Sequence, residues 1–271
     1  MKHVHIDFHF VCDHVTTGSL HVAHVSTYNQ IDGVLTKPLS SSHFQLLRSK
    51  LRVLPIPTCL REAEVIDPAV KGTLNVLRSC MKFRSVKIVV VTSSMVSLTI
   101  NGKPLTPDVV VDETWFSDPA VWEELKNWYA LSKTLAEDAT WKFAKENKID
   151  AVTMHPGFTT GPFLQSTLNV AAEIVLNRIN GSQTLANMIY RFVDVRDVVY
   201  AHIQAFEVAS ASGRYILVGT VRTIWENEKP PLPIYHVSNE KAKGLGIFFI
   251  SLEVSLRDTV ECFKEKGFLI M

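Results

Sequence analysis

From about Glu64 onward, apolar and polar positions fall into blocks whose lengths and periods match alternating helices and strands. Asp67-Pro68-Ala69-Val70-Lys71-Gly72-Thr73-Leu74-Asn75-Val76-Leu77 sets apolar residues at helical spacing behind an Asp cap, with proline in the first turn, and predicts a helix starting there. Val86-Lys87-Ile88-Val89-Val90-Val91 is β-branched, short and bounded by polar residues, the signature of a buried parallel strand. Trp128 to Lys145 reads as a long helix, and Asp150-Ala151-Val152-Thr153-Met154 as the next strand. Val193-Asp194-Val195 predicts a short strand feeding a capped helix over Arg196 to His202. Such alternation implies βαβ units around a parallel sheet, hence an α/β fold.

The first sixty residues have a different character. Six of the ten histidines lie within the first 24 residues, and a Ser-rich turn, Leu39 to His43, precedes a basic helix-like run from Phe44 to Leu51. His3, His5 and His9 alternate with Val4, Ile6, Phe8 and Phe10, which predicts a strand with one buried and one wet face in preference to a metal site. No metal is expected in this protein.

Composition narrows the function classes. With 28 basic and 27 acidic residues in 271, the net charge of +1 supplies no field for nucleic acid or an anionic membrane, and neither is expected as a partner. Cys12, Cys59, Cys80 and Cys262 lack CxxC spacing, so they read as reduced, mostly buried thiols. Apolar runs such as Ile88 to Val91 fall far short of the roughly 18 residues that span a bilayer, and a cytoplasmic protein is the expectation.

Candidate chemistry sits on two elements. Thr92-Ser93-Ser94 directly follows a predicted strand, and the carboxyl end of a parallel strand is where open α/β sheets hold ligands. Tyr129 and Lys133 stand at i and i+4 and share one helix face. A phenol of ordinary pKa about 10 is a poor acid or base near neutrality, and a nearby ammonium stabilises its phenolate. Tyr129 is therefore expected to protonate a carbonyl oxygen that Ser94 hydrogen-bonds as hydride arrives, with Lys133 also holding a cofactor ribose.

Several ordered segments carry a family resemblance: Asp67-Pro68-Ala69-Val70-Lys71-Gly72-Thr73, Val90-Val91-Thr92-Ser93-Ser94, Val111 to Asp118, Asn127-Trp128-Tyr129 through Glu137, and His155-Pro156-Gly157 through Gly161-Pro162. Together they resemble the extended short-chain dehydrogenase/reductases of plants, the group of cinnamoyl-CoA reductases, dihydroflavonol reductases and phenylacetaldehyde reductases. The resemblance implies a Rossmann-like parallel sheet with a small C-terminal substrate region, Ser94, Tyr129 and Lys133 as catalytic triad, and NADP (NADPH) as cofactor. It also implies cofactor contacts from Tyr129, Lys133 and the loop Pro156, Gly157, Phe158 and Thr159. Cinnamoyl-CoA reductases usually carry Cys-Tyr-Gly where this chain has Ala130-Leu131-Ser132, which favours a phenylpropanoid-type aromatic aldehyde or ketone as substrate. Trp122, Phe163 and the stretch Leu164 to Leu168 are expected to wall that substrate.

The chain also departs from the family. A Gly-xx-Gly-xx-Gly turn, which holds the dinucleotide pyrophosphate, occurs nowhere in the sequence, and Ala171 replaces a serine usual near the cofactor. The stretch from Gly219 to Pro230 looks about one helix short. The sheet is accordingly expected to be incomplete, with an exposed edge. Residues 2–11 and 29–39 resemble the end of the ribonuclease H region of copia-type retrotransposon polyproteins, with Gly33 beside Asp32 where that family has its metal-binding Asp. The expected organisation is thus a retrotransposon-like fragment over 1–62 and an N-terminally truncated reductase domain over 63–271, its substrate region from about 160. The alternative function is a catalytically inactive remnant or an interaction module.

Overall fold

The computed structural model describes residues 62–83, 85–181, 188–224 and 235–269. The expectations for residues 1–61, the histidine-rich strand, the Ser-rich turn and the basic run among them, lie outside the described residues, as does the second half of the stretch from Gly219 to Pro230.

Three parallel strands form the central sheet in the order β1 (Ile88–Thr92), β3 (Asp150–Pro156), β6 (Gly213–Leu217). Thr92 pairs with Met154 and Pro156 with Leu217, so the carboxyl ends of all three strands reach the same end of the sheet. Side chains alternate between its faces. On one face, Val152 and Met154 of β3 and Tyr215 and Leu217 of β6 form a core with Ala201 and Ala205 of α5 (Val195–Glu207). On the other, His155 and Arg214 reach Glu137 of α3 (Trp128–Asn147). Helices therefore cover both faces, as both-sided burial of a parallel sheet requires.

The helix α1 (Glu62–Met81) packs along α3, and it corrects one expectation. It starts before Asp67 and runs through Pro68, although proline donates no N–H to a helix. Packing explains this: Ile66, just ahead of the proline, lies against the cluster of Trp122, Ala130 and Leu131, which holds the preceding turn helical. Asp67 pairs with Lys71 one turn later instead of capping.

After β3, Gly157 turns the chain into β4 (Phe158–Thr160), which lies parallel to β5 (Met188–Asp194); β5 in turn pairs antiparallel with β7 (Thr220–Ile224). A short parallel pair, β2 (Val110–Val111) with β8 (His236–Val237), completes the strands described. The Gly161 loop, α4 (Val170–Ile179) and α7 (Leu252–Glu265) meet around Phe163, Ala172, Leu176, Cys262 and Phe263. Two short helices, α2 (Pro119–Glu124) and α6 (Glu240–Gly244), flank α3 and β6 respectively. Side-chain caps from Asp118, Asn127, Asn169, Asp194 and Ser251 begin α2, α3, α4, α5 and α7, each contributing about 1 kcal/mol.

Two of the expected substrate walls, Trp122 and Phe163, sit in the core, whereas Leu164 of the stretch to Leu168 is 71% exposed. Trp122 is 6% exposed and packs with Ala130 and Leu131 beneath α1, and Phe163 is 7% exposed in the core of α4 and α7. Both rings had inward packing partners on neighbouring helices, which their apolar character alone did not reveal. Among the described residues, no helix is long and apolar enough to cross a membrane.

Candidate active site

At the carboxyl end of β1 the chain leaves the sheet through Thr92 and Ser93, whose amide donates to Met154 O at 2.8 Å. Ser94 then caps a single 3-10 turn, Met95–Ser97, in extended backbone (φ −159°, ψ 155°). Among the described residues its hydroxyl accepts only a long 3.5 Å bond from Val96 N and donates to none.

Tyr129 and Lys133 come from the first two turns of α3, which packs on that 3-10 turn. Asn127 accepts from Ala130 N at 3.1 Å to fix the start of the helix. Lys133 Nζ donates to Thr92 O at 3.3 Å, which brings its ammonium to the end of β1 beside Ser93 and Ser94. Burial pushes the Lys133 ammonium pKa down. Tyr129 is 54% exposed, and among the described residues no hydrogen bond joins its hydroxyl to Ser94 or Lys133. Ala130, Leu131 and Ser132 between them are buried, and Ser132 turns its hydroxyl back to Tyr129 O at 2.8 Å.

The predicted loop follows β3. Gly157 N donates to Leu217 O at 3.1 Å, holding this loop against the end of β6. A Cβ on Gly157 would stand 2.1 Å from Arg191 O, so only glycine fits. Phe158 packs edge-on to Tyr190 with centroids 5.1 Å apart, and Thr159 Oγ1 donates to Gly157 O at 3.3 Å. Pro156 through Thr159 and Ser94 therefore occupy adjoining strand ends, as β1 and β3 are neighbours in register.

Beneath Ser94 lies a buried polar cluster that the sequence reading missed. Glu137, with no side-chain exposure, accepts from Ser93 Oγ at 2.7 Å and Ser97 Oγ at 2.6 Å through Oε2. Through Oε1 it accepts from Arg214 Nε at 2.8 Å and Trp141 Nε1 at 3.2 Å. His155 Nδ1 stands 3.2 Å from both Ser94 O and Ser97 Oγ, and its Nε2 stands 2.9 Å from Thr153 Oγ1 and 3.4 Å from Glu137 Oε1. Burial pushes the His155 pKa down, opposed by the Glu137 carboxylate and aided by Arg214 and Lys241. Only the position of Glu137, two turns along α3 from Tyr129, was visible in the sequence; apart from Trp141 one turn on, its hydrogen-bond donors lie 40 to 77 residues away.

A second buried carboxylate underlies the next loop. Asp194 caps α5, accepts from Arg196 N, Nε and Nη2 at 2.8 Å each, and sits so close to Gly161 (φ +103°) that a Cβ there would meet Oδ2 at 2.8 Å. Burial pushes its pKa up, and the Arg196 hydrogen bonds outweigh this and hold it below the usual range. Arg196 continues to Asp258 of α7 at 2.8 Å, and Thr259 Oγ1 accepts from Gly161 N at 2.7 Å, fastening that helix to the loop.

The NAD dependent epimerase/dehydratase family matches residues 58–219. Cinnamoyl-CoA reductase CAD2 of Medicago truncatula is 52% identical over 226 residues, covering 76% of this chain and 69% of that protein. Among solved structures, vestitone reductase from alfalfa (Medicago sativa) superposes with a TM-score of 0.67 at 30% identity, over 76% of this chain and 73% of that one. Yeast methylglyoxal/isovaleraldehyde reductase Gre2, complexed with NADPH, gives 0.66 at 25% identity over 79% and 76%. A parallel sheet with Ser94 at the end of β1, α3 packed beside it, and this agreement in sequence and fold make the chain a member of the NAD dependent epimerase/dehydratase family.

Proposed function

We propose that this protein is an NADP-dependent reductase of a phenylpropanoid-type aromatic aldehyde or ketone. One observation supports the proposal: Lys133 of α3 reaches the end of β1 at Thr92 O, beside Ser94, and Tyr129 stands one turn earlier on the same helix. The named reductase relatives support the substrate class. When bound, NADPH supplies the hydride to the carbonyl carbon. Tyr129 gives its proton to the carbonyl oxygen, so that the product is an alcohol, and Ser94 donates a hydrogen bond to the same oxygen. Lys133, with one bond to Thr92 O, has two further N–H donors for ribose hydroxyls, and Pro156, Gly157, Phe158 and Thr159 line the nicotinamide side. These residues fit the nicotinamide end of the cofactor.

The pyrophosphate end favours a second reading. No Gly-xx-Gly-xx-Gly turn occurs in the 271 residues, so no backbone cradle of that kind is available for the phosphates, and the chain is then an inactive remnant or interaction module. We take residues 1–62 as a separate, retrotransposon-like segment joined to an N-terminally truncated reductase domain over 63–271, with the substrate region from about 160. The start of the family match at residue 58 supports that boundary. Titration of the purified chain with NADPH, followed by fluorescence and thermal shift, separates the two. Saturable binding with reduction of an aromatic aldehyde, and a fall in kcat of about 10²- to 10⁴-fold in Tyr129→Phe, is the expected result. A folded protein that binds no NADPH establishes the second reading.

A further inference from the structure

We propose that Glu137 is a positioning residue for Ser94, acting through the hydroxyls of Ser93 and Ser97, an inference that rests on the reductase reading above. Ser93 and Ser97 bracket Ser94 and the one-turn helix it caps, and both hydroxyls donate to the same oxygen, Oε2 of Glu137. Ser94 O is held from the other side by Ser97 N at 3.1 Å and His155 Nδ1 at 3.2 Å. The backbone around Ser94 is thus fixed at three points while its own hydroxyl donates to none of the described residues.

The accounting of acceptor sites points the same way. A carboxylate offers about four lone-pair positions, and four donors fill them here: Ser93, Ser97, Arg214 and Trp141. Arg214 alone joins α3 to β6, and Trp141, one turn along α3, completes the shell of Oε1. The two serines add nothing to that join, and they connect the carboxylate only to the turn that carries Ser94. A buried ion pair is replaceable by apolar packing without loss of stability in many cores. Its full satisfaction here matches a demand for geometry, since misplacing a reacting group by about 1 Å costs on the order of 100-fold in rate.

The test is a double-mutant cycle with a second readout. In Glu137→Gln the amide oxygen can still accept from Arg214 and Trp141, while its NH₂ replaces the acceptor of the two serines. With NADPH and an aromatic aldehyde, kcat is expected to fall about 10- to 100-fold with KM changed less than about twofold. In the Ser94→Ala background the same substitution is expected to cost nothing further, because the group it positions is gone. Losses that multiply in the double variant overturn the proposal. Amide hydrogen exchange needs no turnover: exchange at Ser97 and Leu98 is expected to rise about tenfold in Glu137→Gln, with β6 amides unchanged. A uniform rise, or none, overturns the proposal. A wild-type chain without reductase activity sinks the function proposed above but leaves the exchange measurement to decide this one.

Discussion

Glu137 and Asp194 are both fully buried carboxylates paired with an arginine beneath a loop at the candidate site, yet they are built differently. Asp194 takes three bonds from Arg196, two residues ahead, and doubles as the cap of α5. Glu137 takes its bonds from Ser93 just past β1, the 3-10 turn, β6 and its own helix. One is a local device that forms as its helix forms. The other exists only when strands distant in sequence have come together, so it joins the layers of the fold and depends on all of them.

Removing each carboxylate tests that contrast. Glu137→Leu leaves Arg214, itself mostly buried, without its partner, and is expected to lower the unfolding free energy by about 3–5 kcal/mol in urea titration. Asp194→Ala removes a cap and a pair whose Arg196 is 37% exposed and can turn to water, for an expected loss of about 2 kcal/mol. Equal losses would erase the distinction between local and long-range carboxylates. The smallest effect is in pH. Because His155 titrates below its ordinary value of about 6.5 when folded, the fold favours its neutral ring. Stability is then complete above about pH 6.5 and declines as the pH falls through the window below it, a decline expected to vanish in His155→Gln. Asp194, whose folded pKa is depressed, adds its own loss only below about pH 4. Chemical denaturation of both proteins at a series of pH values measures this.

The same contrast separates what the sequence discloses from what it hides. The strand before Ser94, the helix bearing Tyr129 and Lys133, and the Asp194 cap are written in short-range period and capping chemistry, and they stand within a few residues of expectation. The β5 strand proved longer than Val193 to Val195 because its earlier residues, Tyr190 and Phe192, form an aromatic stack that no alternation marked. The polar cluster around Glu137 was illegible, since no local pattern pairs it with Ser97 or Arg214. Trp122 and Phe163 misled for a related reason: hydrophobicity tells that a ring seeks cover, and the packing of distant helices decides whether core or ligand provides it.

Gly157 sets a limit on laboratory evolution of this scaffold. With the carbonyl of Arg191 lying 2.1 Å from where a Cβ would be, any library that randomises the loop after β3 loses every member altered there. Codons spent on position 157 sample unfolded or displaced strands, so diversity aimed at a new substrate belongs elsewhere.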